Sequence, residues 1–261
     1  MNYRNIIYQK KGAVAKITLN RPEVLNCLNR AMVIEIGEAL NDADKDDSIG
    51  AIVITGNGKA FCTGMDLKFA QEELNTVQAQ HDFFVFANEI MMRKLEKVRK
   101  PVIAGVNGLA IAGGFELILN VDLVIAAENA MIGDYHMQRG LLAAGGAYLR
   151  LPLLIGLRRA KELMFTGKTI TSKEAEQIGL VNRVVTQDML ESTVDSLAEE
   201  LAEKSPVVMK IVKSLINTTA LVDAEARLEL ILMSALVGSA SGESEGLKAF
   251  HEERKPESKG S

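Results

Sequence analysis

Between Pro101 and Gly146 the chain reads PVIAGVNGLAIAGGFELILNVDLVIAAENAMIGDYHMQRGLLAAGG, and few folds accommodate such a stretch. An apolar run, Val102 to Val106, ends in a glycine-containing turn. Ala112-Gly113-Gly114 then opens a short apolar helix with Glu116 in its first turn, and a second apolar run, Leu123 to Ala127, follows at once. A strand that feeds a glycine turn and a helix start leaves backbone N–H groups without internal partners. The helix dipole favours negative charge at that end. Gly113 and Gly114 carry no side chain to hold another molecule off the backbone. With a carboxylate a few residues away, the stretch is predicted to form an oxyanion site beside a general acid or base.

The flanking sequence supplies the rest of an α/β core. Residues 3–9 and 13–19 read as a hairpin about Lys10-Lys11-Gly12, and Asn20-Arg21-Pro22 breaks its second strand. Asn29 is the expected N-cap of a helix running to about Lys45, with Met32, Val33, Ile36, Ala39, Leu40 and Ala43 on one face. Ala51 to Thr55 is wholly apolar, as strands of a parallel sheet are. The segment from Gly56 to Asp66, GNGKAFCTGMD, is too long and too glycine-rich for a minimal connection, and such loops are often functional. A helix is expected from about Gln78 to Lys97, and a third strand–helix connection at Met131 to Gly140. This alternation implies βαβ units and a mainly parallel sheet.

From Gly156 onward strands nearly stop. Helices are expected over Arg158 to Phe165, after a Thr171–Glu174 capping box, over Gln187 to Glu203, and from a Ser205 N-cap with Pro206 in first position. Two more are expected at Val222 to Val237 and Ser241 to Glu253. Met209, Ile211, Val212, Leu215 and Ile216 are dense enough to pack on the core or on another subunit. Residues 1–190 are thus expected to form the core with the site, and residues 191–261 a C-terminal helical region with a contact to another subunit.

Composition removes several classes of partner. The formal net charge of −4 argues against nucleic acid. No apolar run approaches the roughly 20 residues that span a bilayer, so no membrane partner is expected. The first residues, MNYRNIIYQKKG, lack the apolar core of a signal peptide. Cys27 and Cys62 have no metal-ligand spacing and suit a reducing, cytoplasmic setting. No motif supports a metal ion or a redox cofactor. Gly145-Gly146 lacks the rest of a phosphate-loop or dinucleotide fingerprint and reads as close packing.

Six motifs in order carry a resemblance to a known family. They are Asn20-Arg21-Pro22 with Asn26 and Leu28; Lys59 to Leu67; Gly108 to Asp122 with its Gly-Gly-x-Glu-Leu; Phe165-Thr166-Gly167; Ala175 with Gly179-Leu180-Val181; and Glu245 to Phe250. On these residues the chain resembles the crotonase superfamily, the enoyl-CoA hydratase/isomerase family. The resemblance implies a spiral of ββα units with a C-terminal helical region, and homotrimers or hexamers built as dimers of trimers. It also implies acyl-CoA thioester substrates, coenzyme A entering as part of the substrate rather than as a cofactor. The thioester oxygen would accept the backbone N–H groups of Met65 and Gly113. Gly64, Asp66, Leu67 and Lys68 would lie along the CoA, with Arg254 and Lys255 as candidates for its phosphates.

Family hydratases use two glutamates around one water. Glu116 matches the first, but the segment that should hold the second reads Gly133-Asp134-Tyr135-His136. His136 therefore stands as the second candidate acid–base group or as an orienter of water or substrate, since imidazole titrates near neutral pH. Asp134 reads as a loop or capping residue, and Asp66 as a helix N-cap that fixes the oxyanion loop. The expected activity is hydration of an unsaturated acyl-CoA, with a conjugated or cyclic dienoyl group among the candidates. Isomerisation, decarboxylation and thioester hydrolysis are the alternatives on the same fold, and a non-catalytic acyl-CoA- or RNA-binding relative is a further one. The acyl pocket is expected between Gln71 and Met92 and around Leu141 to Ala144. Phe83, Phe84, Phe86, Met91 and Met92 would either line it or belong to the core.

Overall fold

The computed structural model describes residues 3–219 together with Glu252 and Arg254. The chain opens with a hairpin of β1 (Ile6–Lys11) and β2 (Val14–Leu19), paired antiparallel from Ile6↔Leu19 to Lys11↔Val14. The helix α1 (Arg30–Lys45) starts where its cap dictates: Asn29 Oδ1 accepts the Met32 N–H at 2.9 Å, and the apolar stripe from Met32 to Ala43 is buried.

Three ββα turns follow, each with one strand in a large sheet and the next in a small one. The first is β3 (Ala51–Gly56) and β4 (Ala60–Cys62) with α2 (Leu67–Glu73), α3 (Val77–Ala87) and α4 (Arg93–Lys97). The second is β5 (Val102–Val106) and β6 (Leu109–Ile111) with α5 (Gly113–Leu119). The third is β7 (Leu123–Ala127) and β8 (Met131–Gly133) with α6 (Ala147–Ile155) and α7 (Leu157–Thr166). After these come β9 (Ile170–Thr171), α8 (Ser172–Gln177), β10 (Arg183–Val185), α9 (Leu190–Ala202) and α10 (Pro206–Thr219).

The large sheet has the order β1-β2-β3-β5-β7-β10 and is parallel from β2 onward, and the small one runs β4-β6-β8-β9. Stacking the turns in register makes both sheets at once. Alternate residues of the large sheet then face opposite ways. Ile52, Ile54, Val102, Ala104 and Val124 join the main core. Ala51, Val53, Ile103 and Ile125 face α9, whose Leu190, Val194 and Ala198 close a second, smaller core. Both faces are covered, which is why these strands read as unbroken apolar runs.

The structure refines two sequence expectations. The helix expected over 78–97 is α3 and α4 joined by one π-helical turn, Asn88–Met92. That turn carries Asn88 to a position where its Nδ2 donates to the Ala144 carbonyl at 2.8 Å. The region after Gly156 also contains β9, antiparallel to β8, and β10, which extends the large sheet beside β7. Strands of two and three residues carry too little periodicity to be seen in sequence. The expected capping box at Thr171 and Glu174 is present with both bonds.

The helix α10 is anchored by a buried ion pair that the sequence did not single out. Lys213 Nζ donates to Asp122 Oδ2 at 2.7 Å and to the carbonyls of Lys100 and Leu95 at 3.0 and 3.2 Å. The helices expected at 222–237 and 241–253, the motif Glu245 to Phe250, and Lys255 lie outside the described residues. Arg254 is described, paired with Glu252 at 2.6 Å.

Candidate active site

The first loop is built by the Asn-Arg-Pro segment. Asn26 is fully buried; its Oδ1 accepts the Arg21 N–H at 2.8 Å, and its Nδ2 donates to the carbonyls of Asn57 and Ala60 at 2.9 and 2.8 Å. Arg21 reaches across to Asp66 Oδ2 at 2.8 Å. Asp66 caps α2 by accepting the N–H groups of Lys68 and Phe69. Burial pushes its carboxyl up, but the Arg21 guanidinium and these helix amides outweigh it, and Asp66 sits below the ordinary carboxylate range. Leu28 pairs with Met65 as an isolated parallel bridge: the Leu28 N–H donates to Gly64 O at 2.7 Å, and the Asp66 N–H to Leu28 O at 2.9 Å. In that pattern the Met65 N–H points away from Leu28, and it finds no backbone acceptor among the described residues.

The second loop meets the first at two glycines. A Cβ on Gly64 would lie 2.9 Å from Gly113 N, and one on Gly113 would lie 3.1 Å from Gly64 Cα. The next turn is as tight, for a Cβ on Gly114 would lie 2.0 Å from Cys62 O. Gly113 is the first residue of α5, so its N–H has no intrahelical acceptor. Ala112, just before it, is held at φ 49° and ψ −121°, a conformation that costs a residue with a side chain of order 1–3 kcal/mol. The Met65 and Gly113 amides, which the family resemblance implies share one oxyanion, thus flank the Gly64–Gly113 contact.

Glu116 projects from the same helix turn and is only 4% exposed. Its Oε1 accepts the Gly145 N–H at 2.5 Å, and the Ala147 amide also bonds it. Burial pushes the carboxyl above the ordinary carboxylate range; the charge of His136 and the two amides oppose this without cancelling it. One turn on, Asn120 Nδ2 donates to Glu116 O at 2.7 Å and to Gly145 O at 3.0 Å, pinning residues 144–147 against α5. The sequence reading of Gly145 as close packing is right in geometry and incomplete in role. A Cβ there would lie 2.9 Å from Glu116 Cδ. Gly145→Ala is therefore expected to leave the backbone in place, displace the Glu116 carboxyl, and cost about 10²-fold in kcat. Steady-state kinetics set beside a thermal melt checks this, with the melt moving far less than the rate.

His136 follows β8 in a three-residue turn. Its N–H donates to Asp134 O at 2.7 Å across Tyr135, which is held at φ 57°, the uncommon positive form of such a turn. The His136 Nδ1 lies 3.0 Å from Asp134 Oδ1. Burial pulls the imidazole down, but the hydrogen bond and charge of Asp134, with the charge of Glu116, outweigh it and hold His136 above its ordinary value. Glu116 and His136 thus lie within each other's field. Asp134, read from sequence as a loop or capping residue, lies in the loop after β8, where it caps no helix and its carboxylate grips the imidazole.

The expected acyl pocket divides. Phe83, Met91 and Met92 are buried in the main core, whereas Leu141 and Leu142 line a 310 Å³ cavity with Met137, Tyr148 and Phe165, and Asp134 forms part of its wall. Leu67 and Lys68 are exposed on the first turn of α2. Among the described residues no cluster of three or more His, Cys, Asp or Glu could hold a metal ion, and no helix is long and apolar enough to cross a membrane.

Paired free amides beside a buried carboxylate suit enolate chemistry at a thioester, and the whole-chain comparisons agree. The family model for enoyl-CoA hydratase/isomerase matches residues 9–261. The chain belongs to the enoyl-CoA hydratase/isomerase family. A short-chain-enoyl-CoA hydratase of Clostridium acetobutylicum is 35% identical, covering 98% of each chain. A crotonyl-CoA hydratase of Syntrophomonas wolfei is 34% identical, again over 98% of each. The crystal structure of an enoyl-CoA hydratase from Bacillus anthracis superposes with a TM-score of 0.92 at 35% identity, covering 99% of this chain and 100% of that one.

Proposed function

We propose that this chain is an enoyl-CoA hydratase in which Glu116 and His136 divide the proton transfers. The Glu116 carboxylate takes a proton from a water as its oxygen adds to the β-carbon of the enoyl thioester. The electron pair of the double bond moves onto the thioester oxygen, where the Met65 and Gly113 N–H groups receive the developing charge. The His136 imidazolium then protonates the α-carbon, giving a 3-hydroxyacyl-CoA. The proton held by Glu116 returns to His136 by way of solvent. Gly64, Asp66, Leu67 and Lys68 run along the CoA. The reading rests above all on the Glu116 carboxyl, buried and amide-held in the first turn of the helix whose leading N–H is free.

Incubation with crotonyl-CoA, a longer enoyl-CoA, a cyclic dienoyl-CoA and a carboxylated acyl-CoA, followed by mass spectrometry, tests it. Gain of one water on an enoyl member is the expected result. Free CoA or loss of carbon dioxide as the main product overturns it in favour of hydrolysis or decarboxylation.

The working unit is a homotrimer or a dimer of trimers, and light scattering of the full chain measures it. The exposed apolar residues Leu149, Leu153, Leu157 and Phe165 on α6 and α7 support an intersubunit contact there. Free thiols at Cys27 and Cys62 agree with a reducing, cytoplasmic setting.

A further inference from the structure

Asp134 joins the two halves of the site. Its side chain is nearly sealed from solvent and meets the His136 ring. Its carbonyl accepts the His136 N–H and also the Ala112 N–H at 3.1 Å, next to Gly113. A neutral imidazole with no fixed partner has two tautomers and two ring orientations. An ionised carboxylate is acceptor-only, so the nitrogen facing it must carry a hydrogen.

We propose that Asp134 is a positioning residue, which takes the His136 Nδ1–H and so fixes the tautomer and ring orientation that present Nε2 to the substrate. This rests on the assignment of His136 as the proton donor to the α-carbon. The proton that leaves is then the one on Nε2, and Nδ1 keeps its hydrogen on Asp134 throughout. The groups facing the imidazole are Asp134 from its own loop and Glu116 from α5. Lys161, from α7, lines the cavity that Asp134 borders, and the Arg139 guanidinium stacks 5.8 Å from the Tyr135 ring centre. The charges that act on the imidazole are those of the two carboxylates, Asp134 and Glu116.

The test compares native enzyme, Asp134→Asn, Asp134→Glu and His136→Ala on crotonyl-CoA over a range of pH. A protonated His136 is required, so the rate falls on the alkaline side as the ring loses its proton. In Asp134→Asn that alkaline limb is expected to move down by about 1 pH unit or more, with kcat reduced and KM little changed, and Asp134→Glu is expected to recover part of the shift. An unmoved limb in Asp134→Asn, with His136→Ala inactive, overturns the positioning role and leaves His136 standing. Native rate and profile in His136→Ala overturn the parent reading itself. If the Asp134 variants do not fold, nitrogen NMR of the native enzyme above the His136 titration decides. An Nδ1–H tautomer supports the proposal, and an Nε2–H tautomer overturns it.

Discussion

Glu116→Gln lowers kcat for enoyl-CoA hydration by about 10²- to 10⁴-fold, the range for loss of a positioned general base, and leaves KM nearly unchanged. The amide keeps the shape of the side chain and an oxygen for the Gly145 N–H, but it cannot accept a proton from water. The pH profile carries the sharper signature. Burial raises the Glu116 carboxyl above the usual glutamate range, so the acid limb of the native enzyme lies higher than an exposed glutamate would place it. That limb disappears in the variant. The sign for stability follows from the same shift. A carboxyl raised in the fold destabilises the native state as pH rises through its folded value, and this cost is absent below the ordinary glutamate value. A Glu116→Gln enzyme that kept most of its turnover would remove the base from the mechanism.

Gly64→Ala is the second large effect. Gly64 sits at φ +92°, and an added Cβ would lie 2.8 Å from Ala112 Cβ and 2.9 Å from Gly113 N. The methyl group thus strains its own backbone and stands over the amide that should receive the thioester oxygen. Loss of one oxyanion donor costs about 10²- to 10³-fold in kcat, and the backbone strain about 1–3 kcal/mol of stability. Rates measured beside a denaturant melt separate the two. A folded variant with native kcat would show that the Gly113 amide takes no part.

Most of the architecture was legible because its signals are redundant. The apolar runs at Ala51 and Val102, the Asn29 cap and the Thr171–Glu174 box each point to one local structure. The short strands of the small sheet were not legible, since three residues cannot establish a period. At the site, the Gly113 amide and the Glu116 carboxylate followed from the glycine turn and helix start, and the Met65 amide from the family resemblance alone. Their supports did not. Arg21 reaches Asp66 from 45 residues away, and Gly145 reaches Glu116 from 29. Asn120 was the detectable exception, a polar residue one helical turn beyond Glu116, at the C-terminal cap of an otherwise apolar helix. For Asp134, adjacency to His136 was visible, but the turn at Tyr135 that folds the carboxylate back onto the ring was not.

Among the described residues, the non-glycine positions with positive φ are Leu25, Asn26, Ala112 and Tyr135. All lie in the loops that form the site. Stability and catalysis are therefore set against each other at the same few positions. Selection of this chain for heat resistance alone would find its easiest gains by relaxing Ala112 and Tyr135. Each such gain would loosen the aim of an amide or of the imidazole, so variants chosen only for survival should drift toward well-folded, idle proteins.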